Sequence, residues 1–343
     1  MTRIVTGMTL LAACGLAAGD ERKSSTDEKI GRPVRVVSIS IRKPVNRPMA
    51  QMLPILEREA AKGCDLIVLP ETWRGSADDA IEPVDGPTTQ ALAKIEAKHK
   101  TYIVNPIAAL VDGKRLNTGI VIDRNGEIAG RYDKVYPFWN EFEYDRPVEP
   151  GDKARVIDCD FGKLGITICF DANFPEVWQQ LEADGAEIVV WPSAYSGGDH
   201  LQAYALLFHY YIVTSTHWTD CLVFDITGKK LLDEKSDDIN VSRITLDLDR
   251  GIYKRDYNHG KRAALLEAHG DEVELEEVLD RESWFVLRAT KPGVSVQALA
   301  AEYGIEPLRD YIRRSRCAID GLRDKPIPPV KDGRFVEKSD TLR

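Results

Sequence analysis

Gly165–Leu181, "GITICFDANFPEVWQQL", changes character along its length. Ile and Thr are stiff at χ1 and suit strands, so Leu164–Phe170 is expected to be a buried strand. Pro175 fits the first turn of a helix, and Glu176 with apolar residues at helical spacing continues it. Cys169 therefore stands where a strand hands over to a helix. A helix N-terminus favours the thiolate, yet a free Cys also serves as a small apolar core residue. The stretch alone leaves both roles open.

The flanking sequence supplies the frame. Val34–Ile41 ("VRVVSISI") and Asp65–Glu71 ("DLIVLPE") are continuous apolar runs, the kind of strand covered on both faces. Helices are expected over Ile55–Gly63, where Gly63 suits a C-cap, and over Gly86–Lys100, where Pro87 suits the first helical position. "TYIVNPIAAL" (Thr101–Leu110) is a strand, and Asn125-Gly126 marks a hairpin. Val156–Phe170 is strand–turn–strand, then come a helix over Pro175–Ala183 and a strand over Glu187–Ser193. A helix over His200–Tyr211 and a hairpin about Thr227-Gly228 follow. The alternation predicts an α/β fold, a mixed sheet with helices on its faces. Beyond Asn258 the pattern changes. "AALLEAHGDEVELEEVL" and "SVQALAAEYGIEPLRDYIRRSR" are expected to be helices, and the tail after Lys325 is Pro-rich and charged. The main domain is set at 34–287 and a C-terminal helical extension at 288–343.

A net charge of -9 over 343 residues argues against a nucleic-acid partner, which would require a basic face. No apolar run approaches the ~20 residues that span a bilayer. Arg3, the apolar stretch Ile4–Ala13 and then "LAAC" (Leu11–Cys14) resemble a bacterial lipoprotein signal. That resemblance implies a signal at 1–13, lipid on Cys14 and a polar tether at 14–33. It implies membrane contact through the lipid alone, on the periplasmic face of the outer membrane. If the segment is not a signal, the protein is cytoplasmic. Cys64, Cys159, Cys169, Cys221 and Cys317 match neither a zinc pattern nor a CxxC pair. An oxidising compartment would permit disulfides among them, and core thiols are preferred for Cys64 and Cys221.

Two more polar residues stand at strand ends. Glu71 follows "LIVLP", where a carboxylate is costly unless it is paired or functional. Lys134 lies in "RYDKVYPF". A thiol, a carboxylate base and a cation suffice for thiol acyl-transfer chemistry.

"DLIVLPETW", "GRYDKVYPF" and "GITICFDANFPE" together resemble the Glu, Lys and Cys motifs of the nitrilase superfamily of carbon–nitrogen hydrolases, in the family's order. The resemblance covers about Val34 to Leu287. It implies a four-layer αββα sandwich, no cofactor, no metal and a homodimer or higher homo-oligomer. It implies an acyl-enzyme formed from a small amide or nitrile and released to water, with an amidase preferred. A true nitrilase, an amine-accepting acyltransferase and a non-catalytic relic of the fold are the alternatives. By the same resemblance Cys169 is the nucleophile, Glu71 the general base, and Lys134 with the Phe170 N–H the oxyanion hole. A second carboxylate is expected after Lys134, at Glu141 or Glu143. Both would face one way in an extended segment. Glu141 is preferred because it is nearer in sequence and follows Phe138-Trp139, which could exclude water. Trp191, Ser193 and Tyr195 in "WPSAYSGG" are expected to line the substrate pocket. Asp171 and Asn173 are expected to fix the turn at Cys169. His209-Tyr210 departs from the family pattern, as core or as an altered pocket wall or dimer contact.

Overall fold

The structure is a computed structural model that describes residues 29–42, 47–143, 145–323, 330–331 and 334–335. The expected signal, Cys14 and most of the tether lie outside the described residues.

The first sheet is built from β1 (Pro33–Ile41), β2 (Leu66–Val68), β3 (Glu82–Pro83), β4 (Tyr102–Val111), β5 (Lys114–Ile122) and β6 (Ile128–Asp133), with α1 (Met49–Ala60) and α2 (Pro87–His99) between them. The second contains β7 (Ile157–Cys159), β8 (Gly162–Ile166), β9 (Ile188–Ser193), β10 (Tyr211–Thr216), β11 (Asp220–Phe224) and β12 (Lys230–Lys235), with α3 (Pro175–Ala183) and α4 (Asp199–Phe208). β13 (Ile239–Asp247) then returns to the first sheet beside β1. The strand orders are β13-β1-β2-β4-β5-β6, with β3 on β4, and β12-β11-β10-β9-β8-β7.

Side-chain alternation along β1 shows why the strands read as unbroken apolar runs. Val34 and Val36 join the core between the sheets, while Val37, Ile39 and Ile41 join a second core with Met52, Leu56, Leu92 and Ile95 of α1 and α2. On the far side, Val177, Trp178, Leu201 and Tyr204 of α3 and α4 close over the second sheet. Four layers result, α1/α2, sheet, sheet, α3/α4: the αββα sandwich. Small hydroxyl side chains stitch the facing sheets together. Ser38 Oγ donates to Thr214 O at 2.6 Å, Ser215 Oγ to Ile39 O at 2.7 Å and Ser40 Oγ to Asp220 O at 2.8 Å.

Three local expectations change. α1 begins at Met49, ahead of the expected start at Ile55, and runs through Pro54. The β8 ladder ends at Ile166, and Cys169–Asn173 forms a 3₁₀ turn before α3 starts at Pro175. The stretch "AALLEAHGDEVELEEVL" is half helix and half strand, α5 (His259–His269) followed by β15 (Val273–Leu279). β15 pairs with β16 (Trp284–Ala289), and β16 with β14 (Gly251–Lys254), in a third sheet. Tyr253, Leu265, Val273, Phe285 and Leu287 form its core with Val296 of α6 (Val296–Glu302). The expected division at 287/288 runs through β16. α7 (Leu308–Leu322) lies beyond, its Arg309 donating to Ala186 O and Glu182 O. Among the described residues no helix is long and apolar enough to cross a membrane. Cys64, Cys159, Cys169, Cys221 and Cys317 are free thiols, with Cys64 and Cys221 buried.

Candidate active site

Cys169 opens the 3₁₀ turn with φ of 48°. A non-glycine residue in this left-handed region is strained by ~1–3 kcal/mol and needs neighbours to hold it. Asp171 is the clamp. Its carboxylate accepts from Ile168 N at 2.8 Å, Tyr132 OH at 2.7 Å and Tyr136 N at 2.9 Å. Its carbonyl accepts from Trp178 Nε1 at 3.0 Å, and Trp191 Nε1 donates to Cys169 O at 3.0 Å. Asn173 Nδ2 adds a bond to Phe170 O at 3.1 Å. Burial pushes the Asp171 carboxyl up to about 6.

Glu71 follows β2 in a tight turn whose next residue, Thr72, has φ of 40°. Its Oε1 accepts from Lys134 Nζ and from Asn117 Nδ2, both at 2.8 Å, and its Oε2 accepts from Ala194 N at 2.8 Å. Lys134, just beyond β6, also donates to Glu141 Oε2 at 2.7 Å. Asn117 of β5 donates to Glu141 Oε1 at 2.9 Å, so one amide group spans both carboxylates. Burial opposes charge on Glu71, but the Lys134 ammonium and hydrogen bonds from Lys134, Cys169 and Asn117 hold its carboxyl below the usual range. Burial likewise opposes charge on Lys134, and Glu71, Cys169 and Glu141 outweigh it, raising the ammonium above its ordinary value. Burial and the Glu71 charge push the Cys169 thiol well up. Thiolate stabilisation by the following helix does not apply, because α3 begins at Pro175.

These groups share one cavity of about 550 Å³. It brings together Cys169, Glu71, Lys134, Glu141 and Phe170 from the sequence reading. Glu143 is exposed, whereas Glu141 is buried. The segment Trp139–Phe142 is a 3₁₀ turn, not an extended strand, so the two carboxylates diverge. Phe138 lines the cavity edge-to-face with Phe170 at 5.1 Å, whereas Trp139 is 59% exposed and packs on the outer side of Phe138 at 5.5 Å without lining the cavity. Of the expected pocket residues, Tyr195 is in the wall, while Trp191 and Ser193 are fully buried. Both belong to β9, which is covered on each face, and only the chain beyond its end, Ala194 and Tyr195, emerges into the cavity. Ser193 Oγ accepts from Tyr195 N at 3.0 Å and also hydrogen-bonds the Cys169 thiol, so it supports the nucleophile from behind the wall. His209 and Tyr210 are core. His209 caps α4 with φ of 53°, burial holds its pKa down to about 4, and Tyr210 OH donates to Trp178 O at 3.3 Å. Among the described residues no cluster of three or more His, Cys, Asp or Glu side chains is placed to hold a metal ion. Asn117 is the residue that sequence reasoning missed. "RLNTGIVI" carries only a strand signal, and the two carboxylates it spans are 46 and 24 residues away in sequence.

The profile of the family described as carbon-nitrogen hydrolase matches residues 34–252. A beta-ureidopropionase of Arabidopsis thaliana is 30% identical over 201 residues, which are 50% of this chain and 49% of the relative. An omega-amidase of Mus musculus is 28% identical over 154 residues, 41% of this chain and 56% of the relative. The chain spans about half the length of the curated relatives it matches. Among solved structures, an amidase of Nesterenkonia from the nitrilase superfamily shares the fold with a TM-score of 0.55 at 19% identity, over 70% of this chain and 98% of that one. A nitrilase-superfamily protein of Saccharomyces cerevisiae does so with a TM-score of 0.54 at 23% identity, over 64% and 91%. With the family profile spanning most of the sandwich, the chain belongs to the carbon-nitrogen hydrolase family.

Proposed function

We propose that the protein hydrolyses the C–N bond of a small amide through a Cys169 acyl-enzyme. Glu71 accepts the thiol proton as sulfur bonds to the carbonyl carbon, and the C=O π pair moves onto oxygen. The Lys134 ammonium and the Phe170 N–H hold that oxyanion. The oxyanion collapses and expels the nitrogen, which takes the proton from Glu71 and leaves as ammonia or amine. Water then adds to the thioester with Glu71 as base. The second collapse releases the carboxylic acid and returns the thiol. Glu141, with Glu71, fixes Lys134 in place. Amide and water are consumed, and acid and amine are formed.

The observation that carries this reading is the buried Glu71–Lys134–Glu141 set gathered with Cys169 in one cavity. A thiol whose pKa is raised needs a base at the moment of attack, and Glu71 is the carboxylate that touches it. The test is mass spectrometry of acid-quenched protein after exposure to a panel of small amides and nitriles. An adduct on Cys169 whose mass equals the acyl group is expected with amides. Cys169→Ala should fold, form no adduct and show no turnover. Turnover by that variant would overturn the covalent mechanism, and acyl transfer to an added amine in place of water would show the acyltransferase alternative.

A further inference from the structure

His217 lies in the cavity wall, and the acyl-enzyme steps above give it no task. It follows β10 in the second sheet, yet its ring reaches the first sheet's chain at the end of β1 and beyond β2. Nε2 stands 2.5 Å from Glu71 O and Nδ1 3.4 Å from Ile41 O. Its backbone N–H donates to Ser193 O at 3.0 Å. A neutral imidazole has one N–H, and its other nitrogen is an acceptor that repels a carbonyl oxygen. Only a ring protonated at both nitrogens serves both carbonyls. Charge balance points the same way. Glu71 and Glu141 are buried, and both pair with the single ammonium of Lys134. One negative charge is left over, and a buried charge without a counter-charge is costly. Among the described residues lining this cavity, His217 is the remaining side chain that can supply a cation.

We propose that His217 is a positioning residue for the base: as an imidazolium it pins the main chain of the Glu71 turn to the second sheet and balances the charge of the site. This rests on the amide-hydrolase reading. Glu71 is then held at both ends, its carbonyl by His217 and its Oε2 by the Ala194 N–H. Thr72, with φ of 40°, is the strained residue that this contact keeps in place. The titratable groups sharing the wall with His217 are Glu71, Lys134, Glu141, Cys169 and Tyr195. Beyond Ile41 and Glu71, Arg42 and Arg74 donate to Asp237 O and Arg47 O, and Asp220 on the hairpin of His217 is taken up by Ser196 and Thr216. Burial works against an imidazolium, while the two carbonyls and the unbalanced carboxylate favour it. Loss of the second ring proton removes one carbonyl bond and restores the excess negative charge. The turn carrying the base is loosened, the Cys169 thiol becomes harder to ionise, and proton transfer slows.

The experiment uses iodoacetamide, a neutral carboxamide that loses iodide as sulfur bonds to its methylene carbon and the thiol proton passes to the base. Peptide mass spectrometry reads the rate at Cys169 against pH, with the exposed Cys317 thiol on α7 as internal reference. Nitrogen-15 NMR of ring-labelled protein counts the protons on His217. Two ring protons are expected at pH 7, with a step down in the Cys169 rate where the second one leaves. His217→Gln keeps a donor but no charge; it should lower the Cys169 rate at pH 7 about tenfold and abolish that step, and His217→Lys should recover part of the loss. A singly protonated ring at pH 7, or an unchanged Cys169 rate in His217→Gln, would overturn the inference and leave the hydrolase reading standing. Should both variants misfold, the proton count on the parent, assigned by substituting the other histidines in turn, still decides. Glu71→Gln alkylating Cys169 as fast as the parent would overturn both readings.

Discussion

Glu96 provides a test of the packing that is independent of the catalytic groups. It lies on the inward face of α2 with no exposed surface, and among the described residues no group outside its own backbone N–H hydrogen-bonds its carboxyl. Burial and the nearby Glu57 charge raise its pKa from 4.5 to about 8. The folded protein therefore holds Glu96 protonated at neutral pH, while the unfolded chain ionises above 4.5. Stability from this residue is full below 4.5 and is lost as pH rises toward about 8. At about 1.4 kcal/mol per pH unit, the loss accumulates to on the order of 5 kcal/mol. Glu96→Gln removes the titration. The buried amide has a penalty of its own, but that penalty does not vary with pH. The difference in unfolding free energy between variant and parent should thus climb by several kcal/mol from about pH 5 to about pH 9. Urea unfolding followed by far-UV circular dichroism at stepped pH measures it. Parallel pH curves for the two proteins would refute the argument, because they would mean that Glu96 finds a partner or water in the folded state.

Three further outcomes are expected. In single-turnover kinetics with an active amide, Glu141→Gln should lose about a hundredfold in acylation rate, while Glu143→Gln stays within about twofold; the reverse ranking would return the second-carboxylate role to Glu143. Asn117→Leu removes both amide bonds and should shift the acidic limb of the pH–rate profile as well as lower kcat/KM. An unshifted profile would reduce Asn117 to a space-filling residue. We propose that Cys14 carries lipid, so cell fractionation should find the parent chain in the membrane fraction and Cys14→Ser in the soluble one. Both variants soluble, with residues 1–13 still attached, would refute the lipoprotein reading.

The sequence exposed the parts of the site that interrupt a pattern. Glu71 and Cys169 are polar residues at the ends of apolar, β-branched runs, where burial makes a charge or thiol conspicuous, and Lys134 stands directly after a hairpin strand. Turn chemistry was equally legible: Gly126 and Gly228 adopt φ of 82° and 78° where Asn-Gly and Thr-Gly pairs had marked hairpins. What stayed hidden depends on geometry that a local pattern does not carry. Val273, Leu275 and Leu279 alternate inward along β15, and the helical spacing of Leu275, Val278 and Leu279 arises only because Val278 is an apolar residue on the exposed face. Glu141 and Glu143 separate only once the chain adopts a 3₁₀ turn. Asn117 acquires a role through two partners brought to it by other loops. Trp191 and Ser193 looked like pocket residues because the strand's end was legible but its two-sided cover was not.

The proposed nucleophile and its base belong to different sheets. Glu71, Lys134 and Glu141 hang from loops of the first sheet, and Cys169 and Ala194 from loops of the second. The Ala194 N–H to Glu71 and the Tyr132 hydroxyl to Asp171 cross between them. The proposed catalysis would therefore be a gauge of how the two halves are aligned. A slip of ~1 Å is enough to cost about a hundredfold in rate while every strand keeps its hydrogen bonds. Ser38, Ser40 and Ser215, which touch no reacting group, then come under the same functional constraint as the thiol. Mild denaturation or a substitution along that contact would extinguish turnover in a protein that still looks folded by its backbone spectrum.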